Sequence, residues 1–533
     1  MCRRYSAVFI LALFVISVPP AGAQVAGPDT AAGHPRFDWA RGGAPGPITG
    51  AAALSLRQGP LLDDPVMVAK RKALAAAEAG QAELQPSAVT PTPTVLLGKN
   101  GIFDPGHSPS DSTGAIGTKR YVEVVNSKVG IYDVNLKLIK QDTLTNWWSE
   151  PGASVFDPQV MWDPGTSRFY YAGDAVFSDT DNRLAFGFSK TDAPNNAVDD
   201  WCHYEIGYGA EFPDYPKLGD SKDFAIIGVN VFLPDSFRGS DILAVSKPPS
   251  GTTCPDPTTF KFGFKDSIVV GATTYFTPTP ANGIDSNAAG WIVARPAALP
   301  ATKIGLFKVT KDATTGNPVF PAGAAMTVPS YDAPPNAPQK DTDFTLDTMD
   351  ARMTQAVAAI DPTRGNKFSV WTQHTIKGGA GAMVRWYEID PAAKTLLQSG
   401  DVKNGSLYFF NGAISPDRVV KGGTKAFGGN MLLSFTASSL TTYPSLRMVA
   451  KRGADSTSAV KVVKSSPGPD IDFGCPINGY CRWGDYSAAT PDPNAPTTGA
   501  AGIVWSTNMW TKDGRITGTE GTSWQTFNWK SQP

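Results

Sequence analysis

Charge is scarce in this chain, and neither sign prevails. Charged residues are 18% of 533 positions, against roughly a quarter in soluble domains. The 47 Lys and Arg face 48 Asp and Glu, a formal net charge of -1. Nucleic-acid binders draw affinity from clustered Lys and Arg that release phosphate counterions, so that class is excluded. Histidine is rarer still: His34, His107, His203 and His374 are all there are. HExxH, G-x-S-x-G and Walker A spacings are missing, which removes the local signatures of zinc proteases, α/β-hydrolases and P-loop enzymes. A Ser-His-Asp triad gathered from distant segments through His203 or His374 stays open. A strand histidine packed beside Trp371 is the simpler reading of His374. No apolar run reaches the roughly 20 residues of a membrane-spanning helix. No long amphipathic helix separates the strand-like segments, which excludes Rossmann and TIM-barrel architectures.

What the chain has instead is punctuation and aromatic mass. Gly 53 and Pro 45 make up nearly a fifth of it, so many turns are expected. Hydrophobic residues at 41% and aromatics at 10% supply a core and exclude global disorder. The length allows a few ordinary domains or one large closed β-architecture.

The N-terminus reads as a secretory signal over residues 1–23. Arg3 and Arg4 precede the apolar stretch Ala7 to Val18, and Ala21-Gly22-Ala23 suits cleavage before Gln24. The expected location is secreted or periplasmic. Cleavage would remove Cys2 and leave Cys202, Cys254, Cys475 and Cys481. An even number in an exported chain suggests disulfides, with three pairings possible in principle. The short loop Cys475 to Cys481 suits a local bridge, with Cys202–Cys254 then the second. Metal binding is the alternative, but no close pair has zinc-type spacing. Residues 24–114 are Ala- and Pro-rich and read as a pro-segment or tether, with one possible helix over Asp63 to Ala79 and an extended linker over Pro86 to Pro93.

From residue 115 to 533 short β-rich runs alternate with Gly, Pro, Asn and Asp turns. A weak repeat opens at Phe156 (FDPQVMWDP), Asp214 (DYPKLGD), Asp350 (DARMTQAVAAIDP), Phe410 (FNGAISPD) and Trp483 (WGDYSAATPDP). Three openings run into Asp163-Pro164, Asp361-Pro362 and Asp492-Pro493, where aspartate suits a hairpin turn. An aromatic-rich strand follows each. A strand plus hairpin at this period is how a propeller blade reads, since each sheet buries its faces only against its neighbours. Less regular blades fill Tyr121 to Lys140 and about Ser267 to Val309. The expected fold is all-β, a single β-propeller of seven blades, with six as the alternative count and tandem β-sandwiches as the competing architecture.

Several of these segments resemble a widespread group of secreted bacterial proteins read as β-propellers of unassigned function. YVEVVNSKVGIYD (Tyr121 to Asp133), FGFSKTDAPNNAVDDWCHYEI (Phe186 to Ile206), FPDYPKLGD (Phe212 to Asp220) and CRWGDYSAATPDP (Cys481 to Pro493) carry the resemblance, with FDPQVMWDPGTSRFYYAG and DARMTQAVAAID. After PKLG the group's pattern implies a Gly-rich position and an aromatic inner strand, where this chain has DSKDFAIIGVN. The resemblance implies the fold and carries over no catalytic residue. A fainter likeness to sialidase-type propellers rests on partial Asp-box matches, Ser189-Lys-Thr-Asp192 leading to Trp201 and Thr511-Lys-Asp513-Gly514.

Blade openings face the channel or its mouth, where loops from every blade converge. The residues there are polar: Asn126, Asp157, Gln159, Asp214, Tyr215, Lys217, Asp350, Arg352, Asn411, Arg482, Asp485 and Tyr486. Asp157, Asp214, Asp350 and Asp485 are the candidate catalytic carboxylates of a glycoside hydrolase, which needs two about 5 to 9.5 Å apart. Tyr215, Lys217, Arg352, Arg482 and Tyr486 are the candidate ligand-binding residues, the cations for an anionic group and the phenols for a sugar ring. The structural alternative is that the carboxylates pair with these cations and tie blades together, as Asp485 does if it only links neighbours. No cofactor is implied. Asp179-Thr180-Asp181-Asn182 has oxygen ligands of the kind Ca²⁺ takes, but falls short of an EF-type loop and reads as a solvated turn. Gly378 to Gly381 reads as a hairpin loop. The expected partner is an extracellular glycan or protein, bound without cleavage or hydrolysed, and a monomer is expected.

Overall fold

The computed structural model describes residues 90–234, 236–249, 253–513 and 524–533. The expected signal peptide and the expected helix at 63–79 lie outside the described residues. Seven sheets follow one another, each built on four antiparallel strands. Their inner strands are Thr113–Ile116, Ser154–Asp163, Phe212–Asp220, Thr273–Pro280, Met353–Asp361, Tyr408–Pro416 and Ala488–Pro491, opening blades one to seven.

Ring closure is read from the packing. Blades one and two share a cluster around Trp147, Trp148, Tyr171 and Trp201. Blades two and three share Phe186, Phe188, Ile227 and Val229. Further clusters join three to four (Ile226, Phe307), four to five (Ile304, Tyr387), five to six (Trp371, Leu433) and six to seven (Leu432, Trp529). Trp505 of blade seven then stacks on Tyr121 of blade one at 5.1 Å. Consecutive residues serve opposite neighbours: Ile227 points to blade two and Ile226 to blade four. Such strands are buried on both faces and read as unbroken apolar runs, as in FAIIGV. Tandem sandwiches would not give this circular series.

The propeller begins earlier than composition suggests. Strand Thr94–Phe103 pairs antiparallel with Trp524–Gln532, from Thr94 opposite Gln532 to Phe103 opposite Gln525. It is the outermost strand of blade seven, supplied by the opposite end of the chain. The boundary expected at 115 therefore moves to the start of this strand.

The predicted turns appear. Asp163 accepts from the amide of Gly165 at 2.8 Å, Asp361 from Thr363 at 2.7 Å and Asp492 from Asn494 at 2.8 Å. Gly378 to Gly381 closes a hairpin. Cys202–Cys254 and Cys475–Cys481 are both disulfide-bonded, so neither pair is a metal ligand. The acidic turn at 179–182 is a hairpin tip, and the Asp181 carboxylate is taken by Arg183.

One irregularity recurs and aims the site. The inner strands of blades two, three, four and six each carry a register shift at the mouth end. The shifted residues Asp157, Tyr215, Thr277 and Asn411 have φ of 53°, 59°, 54° and 48°, followed by Pro158, Pro216, Pro278 and Gly412. A bulge adds one residue and turns a side chain away from the sheet face, and proline suits the position because its missing N–H leaves the ladder unbroken. The left-handed backbone at four non-glycine residues is strained locally and held by the ring around it.

Candidate functional site

Two long connections meet over the mouth end of the channel. Residues 332–352 join blade four to blade five, and 466–487 join blade six to blade seven. They bind each other through backbone: the Asp347 amide donates to the Cys481 carbonyl at 2.9 Å and the Cys481 amide to Thr345 at 2.8 Å. The Cys475–Cys481 bridge staples the second connection beside this contact. Met349, from the first, packs on Tyr215 and Tyr486.

All nine sequence-predicted site residues lie in one group: Asp350 and Arg352 in the first connection, Arg482, Asp485 and Tyr486 in the second, and Asp157, Asp214, Tyr215 and Lys217 on the inner strands beneath them. Tyr215 and Tyr486 stack at 4.7 Å between ring centroids. The Lys217 nitrogen lies 4.0 Å from the first ring centre and 3.7 Å from the second. The Tyr486 hydroxyl donates to Asp157 at 3.0 Å, and the Tyr215 hydroxyl to the Asp485 carbonyl at 2.6 Å. Arg482 pairs with Asp485. Arg352 grips Asp350 with two nitrogens, at 2.7 and 3.1 Å, and Arg295 adds a third contact at 2.6 Å. The Arg352 guanidinium also lies over Tyr215, 4.6 Å from its ring centre.

The group extends, through Asn126, to Asp111 and Asp174, which the sequence did not single out. Asp111 accepts the Asp485 amide at 2.6 Å and the Asn126 side-chain amide at 2.5 Å, and Asn126 in turn accepts the Asp157 amide at 2.8 Å. Asp174, in the second strand of blade two, is fully buried, and neither of its carboxylate oxygens has a hydrogen-bond partner among the described residues. The same holds for Asp214 Oδ2 and Lys217 Nζ. One signal for Asp174 was available: an aspartate inside RFYYAGDAVFS stands where strands disfavour it.

Burial governs the electrostatics. It pushes Asp157 up to about 7, helped by Asp214 and Asp485. It pushes Asp214 to about 7 as well, with Arg352 opposing and Asp485 adding to the rise. Asp111 and Asp174 are also raised well above the usual carboxylate range, again through burial first and neighbouring aspartates second. Burial and then Arg352 push the Lys217 amine well below its usual range, against the pull of Asp485 and Asp157. Both tyrosines are pushed well up by burial.

The channel below is narrow. Gln159, Lys217, Thr279, Gln355 and Ser487 line a cavity of about 30 Å³, room for little more than one water molecule. His374 is fully buried between the Ala351 carbonyl and the Tyr387 hydroxyl, each at 2.9 Å, and burial pushes it down to about 3. His203 is bonded to the Tyr171 hydroxyl at 2.7 Å. Both are strand residues with structural partners.

No protein-family model matches the chain, and no curated protein matches it. Solved structures give distant likenesses. The hemagglutinin-neuraminidase of Parainfluenza Virus 5 with the ligand DANA is 10% identical, covering 74% of this chain and 96% of that one at TM-score 0.35. NanB with Optactamide is 10% identical, covering 83% and 70% at TM-score 0.37. The Dos1 propeller is 9% identical, covering 82% and 95% at TM-score 0.37. Likenesses this remote add nothing to the fold established by strand pairing and interblade packing.

Proposed function

We propose that this is an exported propeller that binds an extracellular glycan or protein at the mouth of its channel without cleaving it. The observation that supports this is how the mouth carboxylates are held. Asp350 is held by two arginines, Asp485 pairs with Arg482, and Asp157 accepts from the Tyr486 phenol. Groups fixed in this way suit recognition, because their geometry is set before a ligand arrives. The unpartnered oxygens of Asp174 and Asp214 and the Lys217 nitrogen leave buried polar capacity that a hydroxyl-rich ligand would satisfy. A glycan array probed with the native protein and with Asp214→Asn tests this. Retention by the native protein and loss in the variant is expected. Equal retention would move the site away from the mouth.

A second reading, glycoside hydrolysis, is favoured by one feature. Asp157 and Asp214, both held near 7, would each carry a proton for part of the time at neutral pH, as a general acid must. A chromogenic glycoside panel separates the readings. Release of the chromophore by the native protein and its loss in Asp157→Asn would establish the hydrolase.

A further inference from the structure

The opposite end of the inner strands carries a larger cavity than the narrow one in the channel below the mouth. Asp163 and Asp220 end the inner strands of blades two and three, and beside them opens a depression of about 310 Å³. That is the lower end of the range in which small molecules are held. It lies six residues along the blade-two strand from Asp157, about 20 Å at the usual rise.

Its acidic groups are already committed. Lys247 is buried between Asp163 at 2.8 Å and Asp220 at 2.6 Å. The second Asp220 oxygen accepts the Gly283 amide at 2.5 Å. Asp285 is held by Arg418 through two nitrogens at 2.9 and 3.0 Å and accepts the Ile360 amide at 2.8 Å. The rim cations are not committed in the same way. Exposed Lys222 has no ion pair among the described residues, and Lys425 reaches only the saturated Asp285, at 3.6 Å. The lining also includes half-buried Trp291 and Phe368, with Ser286 and Asn287, and the Lys308 nitrogen lies 5.7 Å from the centre of the Trp291 ring.

We propose that this depression binds a monosaccharide acid, with its ring against Trp291 and its carboxylate between Lys222 and Lys425. The carboxylate follows from the charge balance: cations remain at the rim after every lining aspartate has found its partner. The ring follows from the size of the space and its aromatic wall, since an amphipathic sugar ring offers an apolar face to an indole and hydroxyls to Ser286 and Asn287. The site does not depend on the mouth, which lies at the other end of the channel strands.

The test is titration of the full protein with glucuronate, followed by saturation-transfer NMR and calorimetry, with glucose and benzoate as comparisons. Lys222→Ala/Lys425→Ala changes two exposed side chains, so folding is preserved, and Trp291→Ala removes the aromatic wall. Saturable glucuronate binding is expected, stronger than that of either comparison. It should weaken at least about threefold in each variant, the step that losing exposed charge contacts or one ring contact commonly gives. Added salt should weaken it in the native protein and less so in the double lysine variant. Absence of saturable glucuronate binding overturns the proposal, as does unchanged affinity in the double lysine variant. Glucose or benzoate binding as tightly as glucuronate would overturn the assignment of a sugar acid.

Discussion

The Lys217 side-chain nitrogen lies 3.7 Å from the centre of the Tyr486 ring. Lys217 belongs to the inner strand of blade three, and Tyr486 sits just before that of blade seven. The two are far apart in sequence and meet only because the ring closes. Around this contact the mouth gathers carboxylates, guanidinia and phenols from both ends of the body.

Asp157 and Asp214 give the mouth a pH signature. Their carboxyls are held near 7 in the folded protein against 3.8 for the free side chain. A raised value means that the folded state keeps protons the unfolded state has lost, so the contribution to stability is full below 3.8 and fades as pH rises to about 7. A tenfold difference in proton affinity between the two states is worth roughly 1.4 kcal/mol. Urea denaturation of Asp157→Asn and Asp214→Asn at pH 4, 6 and 8 should show a flatter profile than the native protein, with the gain from substitution largest at pH 8.

Asp350 should behave as a structural residue. It has no exposed surface and holds both Arg295 and Arg352. Asp350→Ala would leave two buried guanidinia without their anion, and breaking a buried pair from one side commonly costs about 3–5 kcal/mol. The expected outcome is a loss of that size in urea denaturation, larger than for Asp157→Asn. A near-neutral result would show that the arginines find other partners.

How much of this was legible in the sequence depends on the residue. The Asp-Pro turns and apolar inner strands of blades two, five and seven could be read because turn chemistry and burial on both faces leave a local pattern. Thr94–Phe103 could not. Its sequence, TVLLGKNGIF, carries two glycines and three polar residues in ten positions. Those glycines answer to the neighbouring chain: a Cβ on Gly98 would meet the Phe527 ring at 2.7 Å, and one on Gly101 would collide with the Asn528 and Glu123 side chains. The mouth residues were legible where a proline marks the bulge, as in Asp157-Pro158 and Tyr215-Pro216. Thr277-Pro278 carries the same mark, but without a charged or aromatic side chain to give it chemical weight. Asp111 and Arg295 have no local mark at all, since only the closed ring brings them to the others.

The strand that closes the ring should matter in proportion. Removing residues up to Phe103 exposes the edge of Trp524–Gln532 and strips one side of blade seven. A markedly lower Tm and a concentration-dependent rise in aggregation are expected, because an open strand edge templates pairing with other chains. Scanning calorimetry and light scattering check both. An unchanged Tm would show that blade seven stands without it.

The two disulfides should contribute unequally. Their sequence separations are 52 for Cys202–Cys254 and 6 for Cys475–Cys481. Loop-closure entropy in the unfolded chain then gives about 4 kcal/mol for the first and about 2 kcal/mol for the second. Paired Cys→Ala variants in urea should follow that order.

Everything proposed for the mouth requires Lys217 and Tyr486 to meet across the channel. The most direct test is a double-mutant cycle with Lys217→Met, Tyr486→Leu and the double variant, read by urea denaturation. A coupling energy of about 0.5 kcal/mol or more is predicted for two buried side chains in contact. Strictly additive effects would mean that the two side chains do not touch, and would contradict the convergence from which the binding site is built.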